Sequence, residues 1–207
     1  IHSLLGKLPR FLVRLWAQHL QRRDKYLESV RLITRYYEET GKAIEDEDVR
    51  LLYPKAYDGI MQEVSRRHDF PDYLLFALVR EESLFTADIS SSAGAVGLSQ
   101  LMPSTAADMA RRMRIINPDL TDPATNLSIG GYYLSYLLGR FDGELLAALA
   151  AYNGGQGRVR RWQAELRSFS GPLFHEAMPI RETRHYIRKV LVSAAYYGEL
   201  YDGRSVG

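Results

Sequence analysis

Apolar residues return every three or four positions along most of this chain, and that spacing admits little besides packed α-helices. Leu8, Phe11, Leu12, Leu15, Trp16 and His19 form one such series, and Tyr26, Val30, Ile33 and Tyr37 form the next. Asp24 is placed to cap the second helix and Gly41 to end it. The pair predicts an αα-hairpin, the unit of helical repeat arrays, although one hairpin makes no array. Arg10, Arg14, Arg22, Arg23, Lys25, Arg31 and Arg35 give its outer face a basic character. A solvated helix face is the favoured reading of that patch over contact with an acidic polymer. The acidic run Glu45-Asp46-Glu47-Asp48 and then Pro54 mark a boundary, which divides the chain into a helical segment, 1–50, and a second unit, 51–207.

Helical spacing continues past the boundary. Tyr57 to Arg67 is amphipathic, and "HDFPDYLLFALVREES" sets Pro71 in a first turn with Asp69 and Asp72 beside it. From Ser90 to Gln100 the pattern stops at "SSSAGAVGLSQ", which predicts turns or short strands. Helices resume at Pro103-Ser104-Thr105, and "NPDLTDPATN" reads as a loop. Further helices are expected over Leu127–Phe141, Leu145–Tyr152, Arg158–Leu166 and Glu182–Tyr197, with "NGGQG" as a turn. No βαβ alternation is present, which argues against a nucleotide-binding sheet and for a mainly α fold.

Composition narrows the function classes. The 207 residues are 46% hydrophobic and 25% charged, ordinary for a globular protein. A formal charge of +2 is too small to argue for nucleic acid. Without cysteine, disulfides and thiol chemistry are excluded. The longest apolar stretch, Leu145 to Tyr152, is too short to span a bilayer. The chain opens at Ile1 without methionine or a signal-like stretch, as a trimmed piece of a longer protein would.

One acid breaks the apolar pattern. Leu75, Leu78, Val79 and Glu82 fall on one helical stripe, spaced i, i+3, i+4 and i+7, while Glu81 lies off it on the polar side with Asp72. Glu82 is therefore directed inward, where burial disfavours its charged form and raises its pKa. A glutamate protonated near neutral pH is what general-acid catalysis requires. The alternatives are a backbone cap or a pair with one of the arginines. The segment that follows supplies a wall for a ligand. Gly94 and Gly97 permit tight turns and close backbone approach, Gln100 offers a donor and an acceptor, and Met102 an adaptable apolar contact. An acid beside a polar, glycine-lined wall suits a carbohydrate.

The set "EES", "GAVGLSQLMP", "AAYNGGQGRVRRW" and "PIRETRHYI" resembles the catalytic domain of the soluble lytic transglycosylases, in the family's order, over roughly residues 55 to 200. The resemblance implies a lysozyme-like fold, related to goose-type lysozyme, that cleaves bacterial peptidoglycan glycan strands. The hairpin before it is similar to the end of the superhelical region that precedes this domain in some members. Glu82 then matches the single catalytic acid/base; Ser91, Gln100 and Met102 match positions lining the cleft; Tyr152 and Asn153 match the family's "AYN". Glu182 lies in the "ETR" motif, with Tyr186 shortly after. Tyr152 is expected to position the acid or the sugar through its hydroxyl, with a core aromatic as the alternative. Glu182 is expected to orient substrate or to pair with Arg181 or Arg184 at the helix start. Ser99 stands where members commonly carry methionine, which puts the apolar lining there in question.

Most glycosidases use two carboxyls, and Glu82 alone is well placed here. Asp88 reads as a surface-turn aspartate. The resemblance implies that Glu82 protonates the β-1,4 oxygen between N-acetylmuramic acid and N-acetylglucosamine. It would then accept the proton of the muramic acid's own C6 hydroxyl, leaving a 1,6-anhydro end and consuming no water. A goose-lysozyme-like hydrolase and a non-catalytic glycan-binding module are the rival readings. His2, His19, His68, His175 and His185 show no metal-ligand spacing, and "GGQG" follows a helix rather than a strand. No cofactor or metal is expected. A periplasmic or cell-envelope location is expected from the resemblance, with glycan strands as the partner and a further helical region or cell-wall machinery beside them.

Overall fold

In the computed structural model, residues 4–169 and 171–203 are described; Ile1 and His2 lie outside them. Among the described residues a 3-10 turn, Leu5–Lys7, is followed by eleven α-helices and no strand. The helices are α1 (Arg10–Gln21), α2 (Tyr26–Thr40), α3 (Asp46–Leu52), α4 (Asp58–Arg67), α5 (Asp72–Ser83) and α6 (Pro103–Met113). They continue as α7 (Pro123–Arg140), α8 (Leu145–Gly154), α9 (Gln156–Glu165), α10 (Gly171–Ala177) and α11 (Arg181–Asp202). None is long and apolar enough to cross a membrane.

The hairpin forms, with Gly41 closing α2 in a left-handed conformation, φ 63°. Its capping differs from expectation. Asp24 itself takes a left-handed φ of 58°, which aspartate tolerates better than most side chains. Lys25 therefore precedes α2, and the Asp24 carboxylate accepts instead from the Tyr26 hydroxyl at 3.3 Å. The packing face also differs. Val13 and Ala17 are the buried residues of α1, whereas Phe11, Leu12, Leu15 and Trp16 are exposed.

The acidic run opens a helix, α3, and its acids take up part of the basic face. Arg10 pairs with Glu45, and Arg14 with Glu45 and Glu47. Asp48, fully buried, accepts from Arg14 Nε at 2.6 Å and from the Tyr37 hydroxyl at 2.5 Å. Leu51 and Leu52 then join Val13, Val30, Ile33 and Tyr36 in a first apolar cluster. A much larger cluster begins at Ala56 and runs through α4 to α11, and Tyr53 packs against both.

Within the larger cluster α5 is central, so Leu74, Phe76 and Ala77 are buried as well as Leu75, Leu78 and Val79. Pro71 sits one place before that helix, Pro103 opens α6, and Asp122 caps α7 through Thr125 N at 2.8 Å. The "NGGQG" turn is a single hinge at Gly155, after which α9 restarts at once, and α10 has no sequence signal strong enough to predict it. Close helix approach rests on one glycine in particular. A Cβ on Gly131 of α7 would run into Val64 of α4. Gly131→Ala is expected to lower stability by about 1–3 kcal/mol through overpacking, seen as a lower denaturant midpoint at unchanged slope.

Candidate active site

Glu82 stands in the last turn of α5, and the chain reverses directly after it. Leu84 and Phe85 both take left-handed backbone angles, φ 45° and 60°. Such conformations are unfavourable for bulky residues and persist only where packing enforces them. Here Phe85 is buried and its ring meets that of Tyr26 edge-on at 5.8 Å.

The Glu82 side chain is directed into the fold, and its Oε1 accepts a 2.6 Å hydrogen bond from the Tyr186 hydroxyl of α11. Burial pushes its pKa from 4.5 up to about 7, opposed by the Tyr186 hydrogen bond and aided by the charge of Glu81. Burial also holds the Tyr186 hydroxyl well above its ordinary pKa, so it remains a donor.

Glu81 is not on a polar face. Its side chain is only 9% exposed, and Oε1 accepts from Arg80 Nη1 and from Ser193 Oγ of α11, each at 2.6 Å. The helical-stripe reading misplaced it because α5 is surrounded: on a helix packed on several sides, leaving one stripe does not mean reaching solvent.

The glycine segment forms a folded wall of turns with two isolated bridges, Ser90 to Val96 and Val96 to Leu101. Asn126, which the sequence reading did not single out, staples it. Its Oδ1 accepts from Ser99 N at 2.8 Å, and its Nδ2 donates to Val96 O at 3.1 Å and Leu120 O at 2.9 Å. Gly97 lies against this amide with φ 78°, and a Cβ there would strike Asn126 and the Leu120 carbonyl. The sequence pattern places Asn126 at the end of a loop, whereas α7 begins at Pro123 behind the Asp122 cap and so carries it.

The other candidates divide between wall, acid and rim. Ser91 is exposed and closes a turn by accepting from Ala95 N at 3.0 Å. Gln100, at φ 44°, donates its side-chain amide to Gly97 O at 2.8 Å and Ile89 O at 3.3 Å, so those donors hold the wall. Met102 is 42% exposed just before α6. The Tyr152 hydroxyl donates to Ser99 O at 2.9 Å. It therefore fixes the wall, and Tyr186 is the tyrosine whose hydroxyl bonds the acid. Ser99 is fully buried against Gly130. Asn153 is exposed and accepts from Thr183 Oγ1 at 3.0 Å, joining the end of α8 to the start of α11. Glu182 is exposed in the first turn of α11, and Asp88 is exposed in the loop after α5. Among the described residues, no three of His, Asp and Glu gather as a metal site would require.

Comparison with known proteins bears on this arrangement. Residues 59–172 match the family described as Transglycosylase SLT domain. The chain belongs to the soluble lytic transglycosylase family. It is 36% identical over 152 residues to a soluble lytic murein transglycosylase of Salmonella typhimurium, covering 70% of this chain and 23% of that relative. Among solved structures it is similar to an inactive glutamate-to-glutamine mutant of the lytic transglycosylase Slt from Pseudomonas aeruginosa. That match has 30% identity and a TM-score of 0.79, over 91% of this chain and 30% of the other. A complex of the 70-kDa soluble lytic transglycosylase with bulgecin A matches at 28% identity and a TM-score of 0.83, over 98% of this chain and 32% of the other. The mainly α architecture is thus the lysozyme-like fold of the soluble lytic transglycosylases.

Two consequences can be measured. Asn126→Ala strands the buried Ser99 amide and removes a donor from Val96 O and Leu120 O, at a cost of roughly 1–3 kcal/mol for the unsatisfied amide. Hydrogen exchange at Ser99 N is expected to accelerate more than exchange in α5. The second concerns Glu82, whose raised pKa makes the folded state hold a proton that the unfolded chain releases. The stability contributed by that proton is whole below about pH 4.5, declines as pH rises, and is lost above about 7. Glu82→Gln is neutral throughout. Denaturant titrations are expected to show it gaining on the parent between about pH 5 and about pH 8, by up to roughly 3 kcal/mol.

Proposed function

We propose that this protein is a peptidoglycan lytic transglycosylase in which Glu82 serves as the single acid/base. The observation that carries the reading is one inward, part-buried carboxyl, with a pKa near neutrality and a tyrosine hydroxyl fixing its orientation. The neighbouring acid, Glu81, is committed to Arg80 and Ser193 and is not available to activate water. That the Pseudomonas aeruginosa relative was solved as an inactive glutamate-to-glutamine mutant supports dependence on one glutamate in this family.

Protonated Glu82 gives its proton to the β-1,4 oxygen between N-acetylmuramic acid and N-acetylglucosamine as the C1–O bond breaks. The oxocarbenium-like or oxazolinium muramoyl species is helped by that sugar's acetamido group. Ionised Glu82 then takes the proton of the C6 hydroxyl, O6 bonds to C1, and a 1,6-anhydro end results. The acceptor is tethered to the reacting sugar, so its effective concentration greatly exceeds that of a bimolecular partner. Because the cycle starts from the acid form, turnover is expected to fall as pH rises through about 7.

The same reading makes Ser91, Gln100, Met102, Tyr152, Asn153 and Glu182 the surroundings of the glycan, and the periplasm or cell envelope the place of work. It treats residues 1–50 as the end of a superhelical region, to which the exposed stripe on α1 would present its apolar side chains. Glu82→Gln is expected to lower cleavage of purified peptidoglycan at least ~10²–10⁴-fold while retaining glycan binding. Mass spectrometry of the parent's products is expected to show muropeptides one water lighter than hydrolysis products and resistant to borohydride. Reducible ends as the main product would mean hydrolysis instead. Unimpaired Glu82→Gln would remove the acid from the mechanism.

A further inference from the structure

The end of α5 carries two inward carboxylates, and the proposed reaction uses one. The second is held with more partners than the first. Besides Arg80 Nη1 and Ser193 Oγ on Oε1, Glu81 has Lys189 Nζ 3.8 Å from Oε2. Arg80 is itself fixed: its Nε donates to Leu52 O at 3.0 Å, its guanidinium lies 4.3 Å over the Tyr53 ring, and Nη1 reaches Ser193 Oγ at 3.4 Å. A buried ion pair adds little stability over apolar groups of the same volume, so packing alone does not account for an acid here.

The register of the two helices does account for it. On α11, Tyr186, Lys189 and Ser193 are spaced i, i+3 and i+7 and share one face. That single face grips both acids, Tyr186 on Glu82 and Lys189 with Ser193 on Glu81. We propose that Glu81 is a positioning residue for the transglycosylase reaction, locking the end of α5 against α11 so that the adjacent Glu82 meets the Tyr186 hydroxyl. The inference rests on the reading of Glu82 as the acid.

Electrostatics gives this placement a signature that a purely structural clamp lacks. Glu82 is faced by Glu81 from its own helix, Tyr186 from α11 and Tyr152 from α8. Glu81 is faced by Arg80, by Lys189 and Ser193 of α11, and by the tyrosines Tyr53, Tyr186 and Tyr197. Beyond burial and the opposing Tyr186 hydrogen bond, the Glu81 charge raises the pKa of Glu82. With Glu81 neutral, that like charge is gone and the ionised form of Glu82 is less disfavoured.

Glu81→Gln keeps the volume and an acceptor but removes the charge, and Glu81→Ala removes the grip as well. In the full chain, acting on soluble glycan strands, the alkaline limb of kcat is expected to move to lower pH in both. Glu81→Ala should in addition lose on the order of 10- to 100-fold in kcat with little change in KM, as misplacement of a reacting group does. Carboxyl-carbon NMR titration reads Glu82 directly, including in a variant too impaired for kinetics, and is expected to show its midpoint displaced downward. Superimposable pH profiles and titrations in parent and Glu81→Gln, beside a lowered melting temperature, would reduce Glu81 to a structural clamp and overturn the inference. Glu82→Gln run in parallel separates the two ideas. If it is inactive, an unmoved Glu81→Gln profile sinks this inference alone; if it is active, the acid assignment falls and this inference with it.

Discussion

The hydrogen bond from the Tyr186 hydroxyl to the Glu82 carboxyl is made across the α5–α11 interface, and the site stands or falls with that interface. Phe76 stacks on Tyr197 at 5.3 Å, Glu81 meets Ser193, and Glu82 meets Tyr186, so the contacts step in opposite directions along the two helices. Antiparallel packing of this kind buries the last turn of α5, where an isolated helix would expose it. Further along α11, Tyr197 donates to Pro54 O and Tyr201 to Tyr53 O, each at 2.9 Å. The helix that orients the acid is therefore also bonded to the segment joining the two apolar clusters.

The glycine-containing wall solves a different problem. A run of small residues between Ser90 and Leu101 has neither a long strand nor a helix to satisfy its backbone groups, and buried amides left open are costly. Asn126 supplies one acceptor and two donors from the start of α7, and Tyr152 donates to Ser99 O from α8. The loop is thereby held by α7 and α8 as well as by its own backbone bonds, among them Val96 N to Leu101 O at 3.0 Å and Gly97 N to Ile89 O at 2.9 Å. Gln100, whose amide donates to the loop's own carbonyls, contributes in the same way. Strain sits nearby at Leu84 and Phe85, where burial of Phe85 enforces a left-handed reversal just past the acid.

Local chemistry in the sequence was enough for the helical architecture, for the break at the glycine segment, and for the inward direction of Glu82. These depend on periodicity and on residues whose conformational limits are intrinsic, such as Gly41 and Gly97. The family resemblance over "EES" and the three later motifs likewise needed only order and spacing, and the matched family supports it. What the sequence could not determine was the partner of each polar group. Tyr152 and Tyr186 both carry hydroxyls near the site, yet one bonds a loop carbonyl and the other the acid. Glu81 leaves the apolar stripe of α5 but is nonetheless buried, because α11 covers that side of the helix. Leu12 and Leu15 are apolar at helical spacing but face outward, while the acidic run before Leu51 pairs with Arg10 and Arg14. A period of 3.6 residues says which side chains share a face of one helix. Which faces are covered, and by what, is decided only when the other helices arrive.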